Sequence, residues 1–89
     1  MRAVITVVGK DAVGILAKVA GQCSTHRVNV IEVTQSIIQD MFCMIMMVDI
    51  TESDVPFTAL VDEMTALGTA NGLVIHCMHE DIFNAMHTI

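Results

Sequence analysis

The alternation of apolar and polar positions divides the chain into strands and helices. Residues 3–8 are nearly all apolar and β-branched, which predicts a strand buried on both faces. After a polar turn, apolar residues recur at helical spacing, namely Ile15, Leu16, Val19, Ala20 and Cys23. Gly21 interrupts this first helix, and we attribute it to a close approach of another element. The helix is expected to end near His26 and Arg27, two side chains suited to the negative end of a helix.

Two strands joined by a tight turn are predicted next. The second strand spans residues 29–38, and the third, dense in Met, Phe and Ile, spans residues 41–50. Gln39 and Asp40 form the turn between them, so the two strands make a hairpin. The apolar content of the third strand predicts a central place in the sheet.

A second helix, a fourth strand and an amphipathic tail complete the pattern. Residues 51–54 supply helix-start chemistry, Pro56 lies in the first turn, and Gly68 is the expected stop. The apolar stripe of this helix is Phe57, Leu60, Val61, Met64 and Leu67. Residues 73–78 are predicted to form a strand, and residues 81–89 a short helix.

This order of elements predicts an α+β fold, the ferredoxin-like βαββαβ sandwich. Right-handed crossovers and the hairpin give an antiparallel sheet in the order 2-3-1-4, with two helices on one face and a short C-terminal helix. Residues 1–89 are expected to form one domain. Because the second sheet face is also partly apolar, the tail helix and a second subunit are the candidates to cover it.

Composition and charge narrow the possible partners. The chain is 54% hydrophobic, which is high for 89 residues and favours a homodimer that buries part of this surface. The net charge is −6, and Trp and Tyr are absent, which argues against a nucleic-acid partner. No apolar run reaches the roughly 18 residues of a membrane span, so no membrane partner is expected. The three cysteines and the lack of a signal peptide predict a cytoplasmic protein with reduced thiols.

The first strand, the turn after it and the start of the second strand form a signature. Val4 to Val8 end in a short polar turn, Gly14 opens the first helix, and Asn29-Val30 is an Asn–aliphatic pair that starts the second strand. This signature resembles the ACT domain, the ligand-sensing module attached to many enzymes of amino-acid metabolism. The chain is also similar to small stand-alone ACT proteins of the UPF0237 type at residues 6–11 (Thr-Val-Val-Gly-Lys-Asp) and 82–86 (Ile-Phe-Asn-Ala-Met).

The resemblance implies a regulatory module that binds a small molecule, an amino acid, between the turn of one subunit and the second strand of its partner. The ligand-binding residues it implies are Gly9, Lys10, Asp11, Ala12, Val13, Gly14 and Ile15 from the turn and Asn29, Val30 and Ile31 from the partner strand. The chemistry of the turn agrees, because the free N–H groups at the start of the first helix suit a carboxylate. Lys10 adds a cation, and Asp11 an acceptor for an ammonium group. Read from the residues alone, the same turn could simply connect strand to helix.

The sequence offers weaker support for metal binding and for catalysis. In residues 76–80 (His-Cys-Met-His-Glu), Cys77 and His79 share one strand face, and His76 and Glu80 share the other. Either pair offers two ligands, half of a tetrahedral metal site. Ordinary strand side chains are the alternative interpretation. No cofactor and no catalytic residue is expected, because no nucleophile has a matching base, and an enzyme is therefore not expected.

Three functions remain open at this point. The first is the ligand-binding module, whose effect must pass to a regulated partner protein. The second is a protein-interaction module of the same fold without a ligand. The third is a metal-binding protein that uses residues 76–80.

Overall fold

A computed structural model of the chain describes residues 1–10 and 14–87. The elements in order are β1 (Arg2–Gly9), α1 (Ile15–Thr25), β2 (Asn29–Ile38), β3 (Met41–Asp49), α2 (Phe57–Ala70), β4 (Val74–His79) and α3 (Glu80–His87). The four strands form one antiparallel sheet in the order β2-β3-β1-β4. The predicted βαββαβ order and the predicted sheet order are both confirmed.

One hydrophobic core lies between the sheet and the two longer helices. Side chains two residues apart on a strand share a face, so Ala3, Ile5 and Val7 of β1 point the same way, and all three are buried in this core. The other strands, the two helices and the connections between them contribute Ile15, Val19, Cys23, Val28, Met44, Met46, Val48, Ile50, Leu60, Met64, Leu73, Ile75 and Cys77. The predicted central position of strands 1 and 3 is confirmed by this arrangement.

The second sheet face is covered only in part. Val4 alternates with Ala3 and Ile5 and is nevertheless fully buried, because α3 packs against β1 and β4. An ion pair between Arg2 and Glu80 (2.7 Å) anchors the start of α3 to β1. Farther along this face, several apolar side chains stay exposed, among them Val8, Ile45 and Val74.

Both ends of α2 differ from the expectation. No described side chain caps its start; Pro56 stands at the N-cap position, and the Ser53 hydroxyl instead donates to the carbonyl of Val55 at 2.9 Å. Gly68 is not the stop, because α2 continues to Ala70 and Gly72, with φ of 68°, follows the helix. A glycine is required at position 68 for another reason: a Cβ there would lie 2.8 Å from the Leu73 carbonyl oxygen.

Gly21 also departs from the expectation. It is exposed on α1, and a Cβ at this position would meet no other atom within 4 Å. The expected close approach of another element is therefore not made within the described part of the chain.

Candidate functional site

The turn between β1 and α1 is shaped by two glycines. Gly9 ends β1, and Gly14 precedes α1 with φ of 72°, a left-handed conformation that glycine adopts without strain. Gly14 accepts the first helical hydrogen bond from the amide of Lys18 (3.1 Å). No side chain among the described residues caps this helix start, so its first N–H groups have no such partner there.

The other turn residues of the candidate set fall into three groups. Lys10 is exposed beside the turn. The Ile15 side chain is 2% exposed and belongs to the core, so that only its backbone can reach a ligand. Asp11, Ala12 and Val13 lie outside the described residues.

The second half of the candidate site lies at the opposite end of the sheet. Asn29 pairs with Asp49, which pairs with Arg2, whereas Gly9 pairs with Phe42 near the far end of β2. Arg2 and Gly9 are seven residues apart along β1, a separation of roughly 24 Å. A single chain therefore does not bring the turn together with Asn29, Val30 and Ile31.

The start of β2 borders a groove that the sequence analysis did not identify. It has a volume of about 440 Å³ and is lined by Ala20, Ser24, Arg27, Val28, Asn29 and Val30. Two residues of the candidate set, Asn29 and Val30, thus lie in one concave surface with Arg27. No sequence motif marks Arg27, which reads as an ordinary cation at a helix end.

His26, at the C-terminal end of α1, contacts α2 and the segment before it. Its Nδ1 lies 3.0 Å from an Asp54 carboxylate oxygen, and its Nε2 lies 2.8 Å from one of Glu63. Hydrogen bonds to Glu63 and Asp54 raise the pKa of His26 above its usual value. Because ionised carboxylates only accept hydrogen bonds, both ring nitrogens must donate, which requires the imidazolium form. The expected position at the helix end is confirmed, but the side chain is only 15% exposed and not a free surface group.

The segment of residues 76–80 does not gather its candidate ligands. Cys77 is buried in the core, and burial raises the pKa of its thiol to about 12. His76 is exposed on the other sheet face. The Nδ1 atom of His79 accepts a hydrogen bond from the backbone amide of Asp81 (3.1 Å). Across residues 1–10 and 14–87, no three His, Cys, Asp or Glu side chains are grouped so as to hold a metal ion.

The described helices and the cysteines bear on the expectations about a membrane partner and about reduced thiols. None of them is both long enough and apolar enough to cross a membrane. All three cysteines are free thiols.

Comparisons with known proteins agree with this architecture. A family model of the ACT domain matches residues 2–78. A UPF0237 protein of Bifidobacterium longum is 46% identical over 88 residues, which cover 99% of this chain and 98% of that protein. A UPF0237 protein of Clostridium perfringens is 44% identical over 89 residues and is covered completely, as is this chain. The solved structure of an ACT domain protein from Streptococcus pneumoniae has a TM-score of 0.82 and 31% identity, covering 100% of this chain and 97% of that one.

Proposed function

Because the chain belongs to the ACT-domain family, we propose that it is a regulatory module, not an enzyme, that binds an amino acid at a site built by two copies of the chain. One observation carries the proposal. The two halves of the candidate site, the Gly9–Gly14 turn and the start of β2, lie at opposite ends of the sheet. Only a second copy, placed in the opposite direction, can bring one half to the other.

The edge strand β2 is suited to bring the second copy there. It is ten residues long, pairs with no described strand other than β3, and carries no Pro and no charge except Glu32 to discourage pairing along its outer edge. Three of its isoleucines are exposed, namely Ile31 (46%), Ile37 (74%) and Ile38 (61%). Antiparallel pairing of β2 with its copy extends the sheet and covers these side chains.

Such pairing would also bring the start of β2 of one copy and the Gly9–Gly14 turn of the other to the same end of the joined sheet. In an antiparallel pair, Asn29 of one copy lies beside the Ile38 end of the other. The Gly9–Gly14 turn lies at that same end of its own sheet, because Gly9 pairs with Phe42 and Phe42 pairs with Ile37. Each dimer then contains two equal sites, and each site uses residues of both chains.

The charges of the turn suit a zwitterion. The N–H groups at the start of α1, which no described side chain caps, favour a carboxylate, and the exposed Lys10 adds a positive charge to the turn. Asp11 supplies an acceptor for an ammonium group. Binding stabilises the dimer, and a regulated partner protein senses the change. The three free thiols favour the reducing cytoplasm as its location.

A mixing experiment tests whether the site is shared. The twenty amino acids are first screened by dye-based thermal shift, because the chain has no Trp. With a ligand that stabilises the wild type, we expect Asp11→Ala and Asn29→Ala each to abolish binding. After the two variants are unfolded together and refolded, half of the dimers are mixed and each has one intact site, so calorimetry should find about a quarter of the wild-type site number.

The outcomes separate the alternatives. Recovery of no sites in the mixture means that the site is not shared. No stabilisation by any amino acid refutes amino-acid binding. Refolding each variant alone is the control, and it should recover no sites.

One observation favours a second candidate function, a protein-interaction module. Val8, Ile45 and Val74 leave an exposed apolar area on the sheet face that α3 does not cover. A stable partner that is captured without added metabolite, and that Asp11→Ala still binds, would support this function. Loss of that partner on Ile45→Lys would map the contact.

A further inference from the structure

Arg27 occupies a backbone position that strongly favours glycine. The end of α1 is a Schellman motif: the Val28 amide donates to the Cys23 carbonyl (2.8 Å), and the Arg27 amide donates to the Ser24 carbonyl (3.2 Å). The residue between helix and strand in this motif must be left-handed, and Arg27 has φ of 61°. L side chains rarely adopt this conformation.

The second helix of the same molecule makes the comparison direct. The end of α2 repeats the motif, with the Leu73 amide donating to the Gly68 carbonyl at 2.8 Å. The left-handed position there is held by Gly72, with φ of 68°. One fold thus uses the same turn twice, once with the favoured glycine and once with an arginine. An arginine at this position therefore carries conformational strain that a glycine would avoid.

The surroundings of Arg27 indicate a use for its side chain. Within residues 1–10 and 14–87, its side chain forms no ion pair and no hydrogen bond, unlike Arg2, which pairs with Glu80. Arg27 instead lines the groove of about 440 Å³, together with the hydroxyl-bearing Ser24 and the amide-bearing Asn29. The groove is a shallow, open depression that can hold one end of a small ligand without enclosing it. A guanidinium without a partner, beside two neutral hydrogen-bonding side chains, suits a carboxylate, which it can bind through two parallel hydrogen bonds.

We propose that Arg27 is a carboxylate-recognition residue and that the groove beside it holds one end of the ligand. The inference rests on the proposed function and deepens it, because it gives the ligand a carboxylate that faces β2 and α1 of one copy. Antiparallel pairing of β2 turns the Gly9–Gly14 turn of the second copy toward this groove. Arg27 then binds the ligand's carboxylate together with the N–H groups at the start of α1 of the other copy, and Asn29 contributes its amide.

The strained conformation provides a matched set of variants. Arg27→Gly removes the guanidinium and relieves the left-handed strain, so its melting temperature should rise while carboxylate binding is lost. Arg27→Asn removes the charge with a residue that tolerates this conformation, and Arg27→Lys keeps the charge without the planar fork. Gly21→Ala is the stability control, because Gly21 is exposed on α1, has open space for a Cβ and does not line the groove. It should raise the melting temperature and leave acetate binding unchanged.

The measurement is a titration followed by the backbone amide NMR signals of residues 24–30. The probes are acetate, L-alanine and L-alaninamide, with sodium chloride at equal ionic strength as the reference. Acetate and L-alanine should shift these signals in the wild type, whereas alaninamide, which lacks the carboxylate, should not. In Arg27→Gly and Arg27→Asn, half-saturation should need at least about tenfold more acetate or alanine, the loss typical of one charge-assisted hydrogen bond. Arg27→Lys should fall between them and the wild type. L-aspartate and L-asparagine then show whether the bound carboxylate is that of the backbone or of the side chain.

Failure of this inference differs from failure of the proposed function. If L-alanine or another amino acid binds the wild type and Arg27→Gly equally well, Arg27 is not the recognition residue, although the shared site stands. If acetate shifts residues 24–30 in an Arg27-dependent way but no amino acid binds, carboxylate recognition stands and the amino-acid function fails. No response of these residues to acetate in the wild type overturns the inference.

Discussion

The same glycine-to-alanine substitution should have opposite effects in the two long helices. In either helix interior, alanine is favoured over glycine by about 1 kcal/mol. Gly21 is exposed, and a Cβ there meets no atom within 4 Å, so Gly21→Ala should raise the free energy of unfolding by nearly this full amount. At Gly68, a Cβ would lie 2.8 Å from the Leu73 carbonyl oxygen and 3.0 Å from Cγ1 of Ile75.

The neighbours of Gly68 cannot easily move. Leu73 is fixed by the hydrogen bond from its amide to the Gly68 carbonyl (2.8 Å), and its backbone leads directly into β4. Overpacking of this kind costs roughly 1–3 kcal/mol, which exceeds the gain in helix propensity. We therefore expect Gly68→Ala to lower the free energy of unfolding by about 1 kcal/mol, so that the unfolding free energies of the two variants differ by about 2 kcal/mol.

Urea unfolding followed by far-ultraviolet circular dichroism measures this difference. Both variants and the wild type are compared at one chain concentration, because association contributes to stability. The gain at Gly21 should appear as an increase of about 4–8 °C in melting temperature. If Gly68→Ala is as stable as Gly21→Ala, the close packing of α2 on the start of β4 is wrong. A loss of stability in Gly21→Ala would refute its place on an open helix face.

Three further predictions concern single groups. The folded-state pKa of His26 is raised above 6.5, so its ion pairs stabilise the protein fully below pH 6.5 and lose this effect as the pH rises through the folded pKa. The difference in unfolding free energy between wild type and His26→Gln should therefore shrink over that rise. A difference that does not change with pH would contradict the ion pairs. Burial raises the pKa of Cys23 to about 11 and that of Cys77 to about 12. A thiol reagent should therefore modify the half-buried Cys43 first in the native protein and all three thiols in urea. Equal modification rates of the three thiols in the native protein would refute the buried placement of Cys23 and Cys77. Gly14→Ala forces a left-handed alanine and should cost roughly 1–2 kcal/mol in urea unfolding, and a neutral result would contradict the φ of 72°.

The fold was predictable because several local signals agree with one topology. The apolar runs of β1 and β3 call for central strands, and the hairpin and the crossovers place them there. The error at Gly68 has a specific cause: a glycine near the end of a helical pattern can stop the helix or allow a close approach. Here Gly72 takes the first role and Gly68 the second. Residue type alone does not distinguish the two.

The candidate site was less predictable, for reasons of distance and backbone conformation. His26 is held by Asp54 and Glu63, which lie 28 and 37 residues away, and no local pattern links them. The separation of the turn from Asn29 follows from strand register, which spacing in the sequence does not reveal. Arg27 became a candidate only through its positive φ and its place in the groove.

A site divided between two copies links ligand binding to association. Under the proposed function, a separated chain carries the turn and the groove roughly a sheet length apart and binds weakly, whereas the pair binds at both sites. Thermodynamic reciprocity then requires the ligand to tighten the pair by the same factor by which pairing tightens ligand binding. The apparent affinity should therefore fall on dilution below the dissociation constant of the pair. Under the proposed function, the protein would thus convert the concentration of a small carboxylate into the fraction of paired chains, and a partner that recognises the pair would respond to the ligand without contacting it.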